Sequence, residues 1–124
     1  MPKIKIKQNS EFVKLNSLEE QYCAFIGEER SSLDCARWII LLDRMLTTWS
    51  DIADNTDKKY SRLRKKMNIK DSHVIPANDA AHCLMLWATL SSSDMDGALS
   101  RLEYVKPFVN FFNSLENTTF YFSF

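Results

Sequence analysis

Few side chains in this 124-residue chain have the types and spacing that chemistry needs. The two histidines are His73 and His82, and their neighbours in sequence include Asp71, Asp79 and Cys83. His82 and Cys83 are adjacent, so on a helix they point to different faces and do not converge on one metal ion. Asp79 and His82, three apart, share a face, but the spacing matches no zinc pattern and reads as an ordinary pair on a helix surface. Neither a metal nor a cofactor is expected. Cys83 with His73 is the one conceivable nucleophile and base. Nucleophile elbows and phosphate-cradling loops need glycine where backbone approaches closely, however, and the chain has only Gly27 and Gly97. Asp94 and Asp96 are two apart, so they diverge on a helix, and capping explains them better. No catalytic residue is assigned and the chain is not expected to be an enzyme.

Charge is the more informative pattern. Lys and Arg total 16, as do Asp and Glu, but the neutrality hides segregation. Residues 1–16 carry +3, residues 17–57 carry −6, residues 58–70 carry +7 and residues 71–124 carry −4. In the basic block Lys58, Arg62, Lys66 and Lys70 step by four into one ridge, flanked by Lys59, Arg64 and Lys65, while Tyr60, Leu63 and Met67 take the opposite face. Such a ridge ordinarily is a solvated face, here balancing Glu19, Glu20, Glu28 and Glu29. It also suits phosphates or an acidic protein surface. Aromatic residues offer a second contact surface. Trp38, Trp49 and Trp87, with Phe108, Phe111, Phe112, Phe120, Tyr121, Phe122 and Phe124, exceed what a small helical core readily covers, and aromatic anchors make binding hot spots.

These features lead to the expectation of a non-enzymatic interaction protein of the inhibitor, immunity or adaptor type. It would bind a larger protein through Lys58, Lys59, Arg62, Lys65, Lys66 and Lys70, through Phe120, Phe122 and Phe124, or through both. The alternative is a nucleic-acid-binding regulator that lays the same ridge along a phosphate backbone. A long helix with an acidic first half and a basic second half could also pair antiparallel with a second copy, giving a homodimer.

The elements that must position these groups are mainly helical. Lys3-Ile4-Lys5-Ile6-Lys7 alternates with the period of a strand, and Thr118 to Phe124 has strand composition, so the two ends are expected to pair as a small two-stranded sheet. Ser17-Leu18-Glu19-Glu20 fits a capping box that would start a first helix, with Gly27 as its end. Ser31 or Ser32 offers the next cap. From there Cys35, Ile39, Leu42, Leu46, Trp49, Ala53, Thr56, Tyr60, Leu63 and Met67 alternate steps of four and three, the seam of one long helix; a break near Asn55 is the rival reading. Pro76 closes that region and opens a further helix carrying Ala80, Leu84, Trp87 and Ala88 on one face. Ser93 should cap a last helix that Pro107 kinks or divides. The sum is one domain over residues 1–124, a bundle of four to five helices with one long helix.

Nothing in the sequence resembles a membrane span. The longest nearly uncharged stretch, Ala80 to Ser93, falls short of the ~20 apolar residues that a crossing requires, so no membrane partner is expected. The charged start lacks the apolar stretch of a secretory signal. The odd count of cysteines, Cys23, Cys35 and Cys83, each set in an apolar helical pattern, fits reduced core residues and a cytoplasmic location.

Overall fold

Apolar side chains recur every second residue near both ends of the chain and about every 3.6 residues between them. A computed structural model, which describes residues 3–30, 35–54, 74–90 and 92–123, turns the two periods into strands and helices. The expected pairing of the termini is present. Strand β1 (Lys3–Gln8) runs antiparallel to β4 (Thr118–Ser123) in continuous register from Lys3↔Ser123 to Gln8↔Thr118.

That pair is the centre of a larger sheet, so two strands went unread in the sequence. Asn9 and Ser10 both adopt positive φ, 51° and 73°, the requirement of a two-residue turn of the kind that joins twisted antiparallel strands. The chain therefore folds straight back into β2 (Glu11–Val13), closing with Gln8 opposite Glu11. On the other flank, β3 (Val74–Pro76) pairs antiparallel with β4. Pro76 lacks a backbone N–H, and it is tolerated because β3 is an edge strand. The order is β2-β1-β4-β3.

Four helices are described. Helix α1 (Leu15–Ile26) begins before the expected Ser17 cap: Lys14 is its N-cap residue, contributes no side-chain cap bond, and its carbonyl accepts from the Ser17 and Leu18 N–H groups. The end of β2 leads directly into this helix, leaving Ser17 inside it. Gly27 closes α1 as expected, at φ 76°, where a side chain would be strained. Helix α2 (Cys35–Asp54) contains the first half of the long seam. Whether it continues past Asn55 lies outside the described residues. Helix α3 (Ala77–Leu90) follows β3 directly. Helix α4 (Met95–Ser114) is capped by Asp94, one residue after the expected Ser93, through a 2.7 Å bond from Gly97 N–H to Oδ1. Pro107 sits inside α4 without dividing it.

The buried stripe of α2 is wider than a seam of two positions per heptad. Trp38, Leu41, Leu42, Met45, Leu46, Trp49 and Ile52 are all buried, while Ile39, an expected seam residue, is left at the rim. A helix packed against a sheet and other helices covers a broader arc than one in a coiled coil.

Aromatic rings join the layers. Tyr22 of α1 stacks on Phe108 of α4, centroids 4.7 Å apart and planes 11° from parallel, and meets Trp38 of α2 edge-on at 5.2 Å. Phe112 of α4 meets Phe120 of β4 at 5.2 Å, tying the helices to the sheet. A polar link runs from α1 to β1, where the Gln8 and Gln21 side-chain amides each donate a hydrogen bond to the other, at 3.2 and 3.1 Å. Since Trp38 is fully buried among rings from two other helices, Trp38→Ala should lower the unfolding free energy by about 3–5 kcal/mol, read from urea denaturation.

Candidate functional site

Much of the expected contact surface is not where a partner could meet it, or is not described. Lys58, Lys59, Arg62, Lys65, Lys66 and Lys70 lie outside the described residues, as do His73 and Phe124. Phe120 and Phe122 are placed, and both are core residues, 0% and 4% exposed. This corrects their assignment as partner contacts. Strand alternation sends both inward, opposite Ile6 and Ile4 of β1, and brings Tyr121 to the outer side.

The acidic first helix has a counter-charge among the described residues. Arg30 places Nη1 2.7 Å from a Glu20 carboxylate oxygen and Nη2 3.7 Å from Glu19. Arg37 and Arg101 instead lie over rings, Arg37 5.2 Å from the Tyr104 centroid and Arg101 5.0 Å from that of Trp87.

The nucleophile and metal candidates sit on α3. Cys83 is fully buried, and burial pushes its thiol far above the ordinary range, with the Asp79 carboxylate adding to the effect. Such a thiol is inert. Cys23 is also free and buried, and its thiol is raised chiefly by that burial. Asp79 and His82 interact as their spacing implies: burial raises the Asp79 carboxyl and the imidazole pulls it partly back. Among the described residues no three His, Cys, Asp or Glu side chains gather where they could hold a metal ion.

Two surfaces remain that the sequence reading did not single out. The first is an apolar groove of about 380 Å³ between α2 and the inner side of the sheet, lined by Ile4, Leu15, Leu42, Leu46, Phe122 and Asp43, with Ile39 and Ile40 on its rim. Ile39 is 45% exposed and Ile40 50%. A signal for it was present: Trp38 to Leu42 are five consecutive apolar residues, and at 100° per residue they cover the whole circumference of a helix, so some must face water. A groove of similar size runs between α3 and α4, past Met85, Leu99, Leu102 and Val109, but Glu103 and Lys106 both border it.

The second surface is the outer face of the sheet. Lys5, Lys7, Phe12, Thr119 and Tyr121 occupy it, alternating with the buried Ile6, Phe120 and Phe122. Phe12 meets Tyr121 edge-on at 5.8 Å, and Lys7 Nζ is 5.9 Å from the Phe12 centroid.

Comparison with protein-family models, with curated proteins and with solved structures finds no match to this chain. No described helix is long and apolar enough to cross a membrane.

Two outcomes follow from α3. Alkylation of the native chain near neutral pH, followed by peptide mapping, should leave Cys83 unmodified until denaturant is added. The Asp79 carboxyl is raised in the folded state, so its contribution to stability is present at low pH and is lost as pH rises from the ordinary carboxylate range through its folded value. Asp79→Asn should accordingly stabilise the protein near neutral pH, with the gain shrinking in urea titrations as the pH is brought below about 4.

Proposed function

We propose that this chain is a non-enzymatic interaction module, of the inhibitor, immunity or adaptor type, that docks on a larger protein through the apolar groove between α2 and the sheet. One observation carries the reading. Ile39 and Ile40 are left about half exposed, side by side, on the rim of a concavity whose floor is aliphatic and aromatic. Contiguous apolar surface of this kind is unfavourable in water at roughly 25 cal/mol per Å², and concave apolar surface gives a partner's side chains contact on several sides.

The occupant that fits is a short amphipathic segment of the partner. Two or three of its aliphatic side chains would fill the floor, and a lysine or arginine would lie beside Asp43, the one charged group among the described lining residues. Burying the exposed remainder of both isoleucines contributes about 1 kcal/mol each, enough to make them anchors while the floor excludes water. The rigid helix and strands that form the walls need little ordering on binding, which favours affinity.

The decisive variant is Ile39→Glu with Ile40→Glu. Both side chains stand at the surface, so circular dichroism and urea midpoint should stay close to those of the parent chain. Crosslinking of the tagged full chain in its native cells, followed by mass spectrometry, should recover a protein that the double variant loses. Recovery of the same proteins by both would remove the groove from consideration. A parent chain that sediments as a dimer and a variant that sediments as a monomer would replace the partner protein by a second copy.

A further inference from the structure

The outer face of the sheet has a composition that the groove does not explain. The cross-strand register lays out one row as Phe12, Lys7, Thr119 and Pro76, and the next as Lys5, Tyr121 and Val74. Phe12 is 63% exposed, and the aromatic pair it makes with Tyr121 bridges the two rows. Glu11 is the one carboxylate in the described strands, and alternation places it on the other side, with Val13 and Gln8. The face is thus cationic and aromatic at once, with no acidic side chain among its described residues.

We infer that this face binds a single-stranded nucleic acid, with an unpaired base resting on Phe12 and Tyr121 and the flanking phosphates met by Lys5 and Lys7. Each part of the surface has a distinct counterpart in that ligand. Lysine ammonium groups answer phosphate charge, and an exposed ring offers a π-face to a base that is free to leave its neighbours. A duplex has its bases already stacked on one another, so it can use the lysines and not the rings. A polyanion without bases is at the same disadvantage. The geometry supports the assignment: alternation in β1 puts both lysines on this face, Lys5 directly opposite Tyr121 and Lys7 directly opposite Phe12, so a cation stands beside each ring. The surface lies on the opposite side of the sheet from the groove floor, since Ile4 and Phe122 face inward where Lys5 and Tyr121 face outward. The two sites are therefore independent.

Fluorescence anisotropy of the full chain tests this, with labelled oligodeoxythymidine and oligouridine of about 16 nucleotides and a blunt duplex of equal length, at low and at physiological salt. Either single strand should bind roughly tenfold more tightly than the duplex. Phe12→Ala, a change at a surface ring that leaves the core intact, should weaken binding about tenfold, and Phe12→Trp should restore it. Lys5→Gln with Lys7→Gln should weaken binding and flatten the salt dependence by about 0.7 in log–log slope per lysine removed. Equal affinity for duplex and single strand, or indifference to Phe12→Ala, would overturn the inference. So would binding that disappears in Arg62→Gln, Lys66→Gln, Lys70→Gln and persists in Phe12→Ala, because the basic stretch would then be the contact. Attachment to vesicles of anionic phospholipid, with no anisotropy change for either oligonucleotide, would reassign the face to a lipid surface.

Discussion

The stack of Tyr22 on Phe108, crossed edge-on by Trp38, is the contact on which the rest of the molecule depends. It brings together the consecutive helices α1 and α2 and the distant α4 at a single point. Aromatic rings bury much surface and prefer a small set of relative orientations, so such a cluster fixes how the helices lie as well as holding them together. Phe111 and Phe112 extend it along α4, and Phe112 passes it to Phe120 in the middle of the sheet. The inner face of β4 is thereby set against the helices, and its outer face is set toward solvent by default. The groove is open for a related reason. The α2 stripe of Trp38, Leu41, Met45 and Trp49 is committed to the core, which leaves Ile39 and Ile40 on the flank beside Ile4 and Phe122.

β1 carries two functions through a period of two. Ile6 is fully buried and pairs with Phe120, while Lys5 and Lys7 stand on the other side beside Tyr121 and Phe12. A shift of register by one residue would exchange these sets, placing lysines in the core, at a cost of several kcal/mol for each uncompensated charge. The alternation that makes the sheet foldable is therefore also what concentrates cations on its free face. The aromatic residues there are not spare core side chains either. Phe12 belongs to a three-residue strand reached through a turn whose Asn9 and Ser10 are both in the left-handed region, so its place beside Tyr121 is set by the backbone.

How far the sequence disclosed this depends on the range of the interaction involved. Elements governed by local signals were legible: the Gly27 end of α1, the start of α3 after Pro76, the helical character of Met95 to Ser114, and the strand character of β1 and β4, whose long-range pairing follows from the closeness of chain ends. Elements governed by tertiary context were not. β3 is three residues long and contains a proline, so nothing local marks it as a strand; it exists because β4 supplies its hydrogen bonds. The Ser17 capping box was a sound local signal overridden by the chain path, since β2 delivers the backbone into helix at Leu15. Asn9-Ser10 is a weak turn signal beside Asn-Gly, and β2 went unread with it.

The aromatic C-terminal segment teaches the sharper lesson about sites. The number of aromatic residues exceeds what a small core needs, and on that ground alone Phe120 and Phe122 would be surface anchors. The count left out the strand period: in Phe120-Tyr121-Phe122 the alternate residues had to part, and β1 opposite offers Ile4 and Ile6 on one side and Lys5 on the other. Apolar matching selects the phenylalanines for the core, and the tyrosine, whose hydroxyl tolerates water, for the exterior. The same logic applied to five apolar residues in a row on α2 identifies Ile39 and Ile40 as the ones the core cannot take. In both places the informative quantity was not how many hydrophobic residues the chain holds but which of them the geometry of strand or helix prevents from being buried together.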